Sequence, residues 1–359
     1  MGWIALVAVL VAVVAVAWAL TRSQAAPGAD APAPPPPPDD EIALALAHVT
    51  EQADRLAHGE PLSQGGEAAR AAVDSLDRVA IRMAQMTEAR AHIVATQRDL
   101  ELARAMYRSI LPLTSVGRHA GVCVAGSCTP AADTGGDWWT YRKLTGGRLL
   151  VVVGDATGHG VYSAMIGCAA HGAVEALSHV GEELMTPTSV LRAINAAIRI
   201  PGTDRAAMTC FAALFDPKGT IDFANASHML PLLASTDEHG AVTKVAALAT
   251  AGVGAIDRVD DSEVLVADVR EGSQLLAPGD FVVMFTDGLT DRRDKAGRAF
   301  GHRRLQQAVN RAACVGGEIG IKAVRDAVLG EVTAFADGFP ADDDVTIVVC
   351  GVDRSATPA

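Results

Sequence analysis

The hydrophobic rhythm of the chain changes three times. Residues 3–20 (WIALVAVLVAVVAVAWAL) are apolar throughout, with neither a charge nor a helix breaker. As a helix rising about 1.5 Å per residue, this run would be ~27 Å long, close to the ~30 Å hydrocarbon thickness of a bilayer. Trp3 and Trp18 stand near its ends, where aromatic anchors sit at a membrane interface. The pattern predicts a transmembrane anchor over residues 1–22. A cleaved signal peptide is the competing reading, because AWA or the later SQAA could serve as a cleavage site. The leading MG lacks Lys or Arg, however, and the apolar stretch is long for a signal core. Arg22, Arg55 and Arg70 follow the run, so the positive-inside rule predicts a single-pass protein of the inner (cell) membrane with a cytoplasmic body.

The second regime is polar and then helical. Residues 23–40 include AAPGADAPAPPPPPDD, which predicts a semi-rigid polyproline-II spacer, with recognition by a Pro-binding domain as the alternative. Residues 41–111 read as a helical regulatory linker. An amphipathic helix over 41–58 is interrupted by GEPLSQGG, and a longer helix follows from about Glu67. Within it Val79, Met86, Ile93, Leu100 and Tyr107 recur every seven residues, flanked by Leu76 and Met83 and interrupted by Arg90, Gln97 and Arg104. That period fits a homodimeric coiled coil or a helix folded back on its own domain. Pro112 ends it.

The third regime, residues 112–353, alternates helical stretches with short apolar runs (LLVVV, FVVMF, VTIVV) that read as buried strands. Its size suits one large catalytic domain, and residues 354–359 read as a tail. Hydrophobic residues make up 50% of the 359 but aromatics only 4%, and Lys plus Arg number 30 against 42 Asp plus Glu, a net charge of −12. An acidic chain without clustered cations excludes a binder that tracks nucleic-acid phosphates. The six cysteines (Cys123, Cys128, Cys168, Cys210, Cys314, Cys350) form no CxxC pair, which argues against a disulfide scaffold or a structural zinc site and for a reducing compartment. Cys123 and Cys128 read as small residues on a strand rather than a redox pair.

Candidate chemistry lies in four carboxylate segments: Asp137 in TGGDWW, Asp155 in GDATGHG after LLVVV, Asp287 and Asp291 in TDGLTD after FVVMF, and Asp342, Asp343 and Asp344 before VTIVV. One Asp-Gly at a strand end is an ordinary turn signal. Four in one domain predict convergence, and converging carboxylates require cations, raised pKa values or full solvation. Oxygen donors of this kind suit two Mg²⁺ or Mn²⁺ ions rather than zinc, and two such ions serve attack by activated water on phosphorus.

In this order and spacing, TGGDWW, GDATGHG, NASHMLPLL, TDGLTD and DDVTIVV resemble the SpoIIE-type branch of the PPM metal-dependent serine/threonine protein phosphatases. The resemblance spans about residues 100–352. It implies an α+β fold, a four-layer αββα sandwich following the anchor and the helical linker, with the metals in a cleft at one edge. It implies Asp137 and Asp155 as ligands of one ion, Asp155 bridging, and a backbone ligand from the Ala156 carbonyl. Asp287 and Asp343 complete the second ion, Asp343 being preferred to Asp344 by alignment of the D-D/N-x-T pattern that Thr346 closes. Asp342, Asp344 and Asp291 are auxiliary candidates, and His159 is a candidate general acid. The resemblance further implies a phosphorylated protein substrate in bacterial regulatory signalling, with a STAS-type anti-sigma-factor antagonist as the expected partner. Ser227 departs from the usual Gly of the NASH segment, and no basic phosphate-binding residue precedes Gly135. Two rival functions stand beside this one: a metal-poor pseudophosphatase that gathers signalling partners, and a small-molecule phosphatase or phosphodiesterase with the same ions.

Overall fold

The computed structural model describes residues 65–113, 115–158, 160–199, 208–249, 271–312 and 317–353. The anchor, the spacer, the helix expected over 41–58, His159, Cys314, the tail and the side chains of Leu76, Val79 and Met83 lie outside them. Among the described residues no helix is long and apolar enough to cross a membrane.

The chain forms two compact units, Met1–Asp99 and Leu100–Ala359. The long linker helix, α1 (Gly65–Ile110), begins in the first and ends in the second. In the first unit Ile81 is 59% and Ile93 43% exposed.

The second unit is built on eleven described strands. β1 (Val116–His119), β2 (Val122–Thr129), β7 (Leu232–Thr236), β8 (Val242–Ala247), β10 (Phe281–Phe285) and β11 (Val345–Val352) form one antiparallel sheet in the order β1-β2-β11-β10-β7-β8. β3 (Asp137–Lys143), β4 (Leu149–Ala156), β5 (Met208–Phe215), β6 (Thr220–Ala226) and β9 (Gly272–Leu275) form the other, in that order and also antiparallel. Helices α2 (Val161–Val180) and α3 (Pro187–Ile198) cover the five-stranded sheet. A one-turn helix α4 (Asp287–Thr290) follows β10, and α5 (Gly301–Arg311) and α6 (Gly317–Ala336) cover the six-stranded sheet.

Three hydrophobic layers explain the unbroken apolar runs. In β4, Leu150 and Val152 pack under the α2 and α3 layer, whereas Leu149, Val151 and Val153 face the other sheet. In β10, Phe281, Val283 and Phe285 face α5 and α6, whereas Val282 and Met284 face inward. A strand buried on both faces needs apolar residues at every position. The two tryptophans divide likewise: Trp138 joins the helix-side core and Trp139 the core between sheets. A side chain at Gly126 would collide with the Trp139 ring. Cys123 and Cys128, on opposite faces of β2, are five residues apart on one strand; Cys123 is buried under α5 and α6 and Cys128 is half-buried. This is the expected αββα sandwich, and its open end between the sheets carries the site.

Candidate metal centre

Strand register brings the first two carboxylates together. Asp137, the first residue of β3, pairs directly with Asp155 near the end of β4, so both side chains project from the same face. That face is the one turned toward the six-stranded sheet, since Trp139 and Val153, two positions along each strand, lie in the inter-sheet core. From the opposite sheet, β10 ends one residue before Thr286 and Asp287, and β11 starts two residues after Asp343. β10 and β11 are hydrogen-bonded neighbours, with Phe285 opposite Ile347. All four segments therefore reach one end of the sandwich.

Two threonines join the sheets there. Thr286 Oγ1 donates to Asp137 Oδ2 at 2.7 Å, and Thr346 Oγ1 donates to the same oxygen at 2.6 Å. The Thr346 amide in turn donates to Thr286 Oγ1 at 3.1 Å. The Tyr107 hydroxyl, from the last turn of α1, donates to the Asp137 carbonyl at 2.7 Å and lies 3.2 Å from Cys128 Sγ. Neither Thr286 nor Tyr107 stands out in the sequence as a site residue; only the register of strands distant in sequence reveals them.

The triple Asp divides by burial. Asp342 and Asp343 are exposed, whereas Asp344 is 5% exposed. Asp344 Oδ1 accepts from the Ala131 amide at 2.8 Å, and its Oδ2 accepts from the amides of Gly136 (2.6 Å) and Asp137 (3.2 Å). Asp344, an auxiliary candidate in the sequence, clamps the loop that presents Asp137. This also explains both glycines of TGGD. A side chain at Gly135 would strike the Asp344 carboxylate, and one at Gly136 the Ala156 carbonyl. In TDG, a side chain at Gly288 would strike the Asp344 carbonyl. Asp291 is exposed at the end of α4, its amide bound to the Asp287 carbonyl at 2.7 Å.

The electrostatics are those of crowded anions. Burial, then the charges of Asp287, Asp343 and Asp344, push the Asp155 carboxyl up to about 7. Burial, then Asp155, raise Asp137 well above the carboxylate range against the opposing Thr286 and Thr346 hydroxyls. Asp287 is raised by burial, then Asp343 and Asp291. Cations relieve such a cluster, and the donors are oxygens throughout, which suits Mg²⁺ or Mn²⁺. Among the described residues no three His, Cys, Asp or Glu side chains close tightly enough to hold an ion by themselves. Ions held at such a site would need backbone oxygen and water to complete their coordination, as is usual for Mg²⁺.

The family Stage II sporulation protein E (SpoIIE) matches residues 145–353, more than half of the chain. The chain belongs to the SpoIIE family. It is thereby an enzyme of the PPM branch of metal-dependent serine/threonine phosphatases. The match takes in Asp155, Asp287 and Asp343 and begins after Asp137. Among solved structures, the chain is similar to the SiaA-PP2C domain of Pseudomonas aeruginosa, at 24% identity over 73% of this chain and 99% of that one, with a TM-score of 0.58. The RsbU and RsbW domains of a Mycobacterium tuberculosis protein match at 24% identity, 66% and 61% coverage and a TM-score of 0.51. The PP2C phosphatase domain with a regulatory fragment of the cell fate determinant SpoIIE from Bacillus subtilis matches at 16%, 67% and 64%, and 0.50. The chain thus spans less than two thirds of the last two structures. At these identities the likenesses establish the fold.

Proposed function

We propose that this SpoIIE-family enzyme removes phosphate from phosphoserine or phosphothreonine on a protein partner. The observation that carries the reading is the convergence of carboxylates from both sheets on Asp155, whose carboxyl burial and three neighbouring anions push up to about 7. In this reading Asp137, Asp155 and the Ala156 carbonyl would hold one divalent ion, and Asp155, Asp287 and Asp343 would hold the second. Two such ions, when bound, supply activation of water for in-line attack on phosphorus and neutralise the charge that develops there. The chain's own contribution is positional. Thr286 and Thr346 fix one oxygen of Asp137, and Asp344 fixes the preceding loop. His159 is read, from sequence alone, as a candidate acid for the departing side-chain oxygen.

The partner class we favour is a small phosphorylated STAS-type anti-sigma-factor antagonist in bacterial regulatory signalling. Support comes from family membership and from the regulatory setting named for the Bacillus subtilis structure, a cell fate determinant. We read residues 3–20 as the membrane anchor on their apolar length alone.

The test is hydrolysis by the purified full-length chain of a phosphoserine protein, nucleotides and sugar phosphates, with Mn²⁺, Mg²⁺, Zn²⁺ or chelator. Phosphoprotein turnover that chelator abolishes and Mn²⁺ or Mg²⁺, but not Zn²⁺, restores is the expected result. Turnover in excess chelator would remove the two-ion reading. Preference for the small phosphates would make it a small-molecule phosphatase, and ion-independent partner binding without turnover would make it a pseudophosphatase.

A further inference from the structure

This acidic chain has one dense run of cations, and it adjoins the site. Residues 292–304 (RRDKAGRAFGHRR) hold six Lys or Arg against one Asp, in a chain of net charge −12. No stretch of that length elsewhere in the chain holds more than three. The run begins directly after Asp291, whose amide closes α4 on the Asp287 carbonyl. Residues 292–300 form a tight hairpin: Arg293 bridges to Ala299, and the Phe300 amide donates to the Arg292 carbonyl at 2.8 Å. Asp294 Oδ1 shapes the turn by accepting from the amides of Ala296 (3.0 Å) and Arg298 (2.9 Å), and Gly297 takes φ 76°. The Arg292 guanidinium donates to the carbonyls of Phe339 and Pro340, just before Asp342. Lys295 pairs with Asp337 of the same loop at 2.7 Å. In the first turn of α5, the His302 ring lies 5.9 Å from that of Phe285, which precedes Thr286 and Asp287. The hairpin and the start of α5 are thereby fastened to both segments that carry Asp287 and Asp343.

Most of these cations keep their charge. Arg298 is paired by Asp294 at 2.7 Å, and Lys295 by Asp337. Arg293 instead donates to the Gly297 carbonyl at 2.9 Å. Arg304 donates to the carbonyls of Ala299 (3.0 Å) and Phe300 (2.9 Å), with its guanidinium 4.7 Å from the Phe335 ring centre. A carbonyl orients a guanidinium without neutralising it. Arg303 is exposed, on the side of α5 opposite the buried Leu305, Ala308 and Val309. Among the described residues neither Arg293 nor Arg303 has a carboxylate within ion-pair distance. Asp291 and Asp342 are the exposed acids at the border, two against four guanidiniums that no carboxylate pairs. A phosphoserine carries a charge of about −1.5 to −2 near pH 7. It must approach a site built of carboxylates, and no basic residue precedes Gly135 to draw it in. The hairpin beside Asp287 supplies the cations that the TGGD segment lacks.

We propose that the hairpin 292–300 and the first turn of α5, through Arg293, Arg298 and Arg303, dock an acidic segment that flanks the phosphoserine of the protein substrate. Exposed cations spread over two elements fit several carboxylates in a row better than a single phosphate group. Such contacts act on encounter and on KM, and salt weakens them. Arg292 has a structural part instead, since it ties the two segments that carry Asp287 and Asp343. The inference rests on the reading of the enzyme as a phosphoserine protein phosphatase, and its test separates the two.

The test gives the full-length chain, in detergent with Mn²⁺, two phosphoserine peptides, one flanked by Asp and Glu and the other by Asn and Gln. The unaltered chain should show the lower KM for the acidic peptide, and the difference should close as salt rises from about 50 to 300 mM. Arg293→Gln should raise that KM roughly threefold and Arg303→Glu about fivefold, the scale of exposed ion pairs, with kcat and the neutral peptide unmoved. Arg311→Gln, which breaks a pair with Glu331 at the far end of α5, should change neither peptide's KM. Equal KM for the two peptides, or an unchanged KM in Arg303→Glu, overturns the proposal even if Arg293→Gln fails to fold. The same kinetics in nanodiscs of neutral or anionic phospholipid complete the test. If anionic lipid, and not the acidic peptide, separates the unaltered chain from Arg303→Glu, the rim reads a membrane surface and the proposal is overturned. Fluorescence anisotropy of the labelled acidic peptide reads binding without turnover. Binding that Arg303→Glu weakens, in a chain that hydrolyses no phosphoserine, keeps the docking surface and removes the function reading. Hydrolysis of both peptides at equal KM does the reverse.

Discussion

Asp155 is the residue at which charge, burial and register meet, and its titration has a sign. Its folded carboxyl sits at about 7 against 3.8 for the free group. In the ion-free protein the native state therefore holds a proton between about pH 4 and pH 7 that the unfolded chain has released. Stability from this group is present below pH 4, falls as pH rises through that window, and stays low above it. Asp155→Asn removes the cost. Ion-free Asp155→Asn should melt several degrees higher than the parent at pH 8 and no higher at pH 4, a difference that calorimetry reads directly. The same variant should lose roughly 10³-fold or more in phosphoserine turnover if attack by ion-activated water dominates. A variant equally stable at both pH values would mean that the neighbouring anions do not burden Asp155. Asp344 has the opposite character. Asp344→Ala strips three backbone amides of their acceptor, which should cost about 1–3 kcal/mol in urea unfolding and loosen the loop carrying Asp137. The sequence makes the carboxylates conspicuous but cannot separate Asp344 from Asp343, which are chemically identical and adjacent. What separates them is a set of amide donors about two hundred residues away, and nothing local in DDDV encodes that distance.

Among the elements, the strands were legible and their pairing was not. LLVVV, FVVMF and VTIVV declare themselves because both faces of each strand are covered, so polar alternation disappears. Which strand lies beside which is set by long-range register, and the Thr286 and Thr346 bonds to Asp137 exist only through it. Helix α6 carries Ile321, Val324, Val328 and Val332 at helical spacing in the buried layer, a signal present in the sequence. The end of α1 shows how an element reaches the site. Tyr107 is buried, desolvation drives its phenol far above the ordinary range, and its hydroxyl donates to the Asp137 carbonyl. Tyr107→Phe deletes that bond while keeping the ring in the core. It should cost about 1 kcal/mol of stability and weaken Mn²⁺ binding by a factor that calorimetry resolves, since Asp137 loses one of its fixed contacts. Unchanged Mn²⁺ affinity would reduce Tyr107 to a packing residue.

At the scale of the whole molecule, α1 is the continuous element shared by the two units, and its heptad residues meet different environments. Tyr107 is buried in the catalytic body and Leu100 and Met86 are half-buried, whereas Ile93 is 43% exposed within one chain. The C-terminal end of the seven-residue period serves the body's own core, and its N-terminal end is either a face for a second helix or a solvent face. Composition cannot distinguish the core's demand from a partner helix's, because both need an apolar residue at the same positions. A charge at Ile93 can. If two chains pair along the seam, Ile93→Asp buries an unpartnered carboxylate at a cost of several kcal/mol, and sedimentation of the full-length chain in detergent should show the dimer lost. Phosphoserine turnover should change with it, because the last turn of the same helix carries Tyr107, whose hydroxyl donates to the carbonyl of Asp137. If Ile93 stays in solvent, the substitution falls within the ±0.5 kcal/mol of ordinary surface changes, and neither mass nor rate moves. The seam would then be a monomer's tether, and control of the site would have to enter through some element other than α1 pairing.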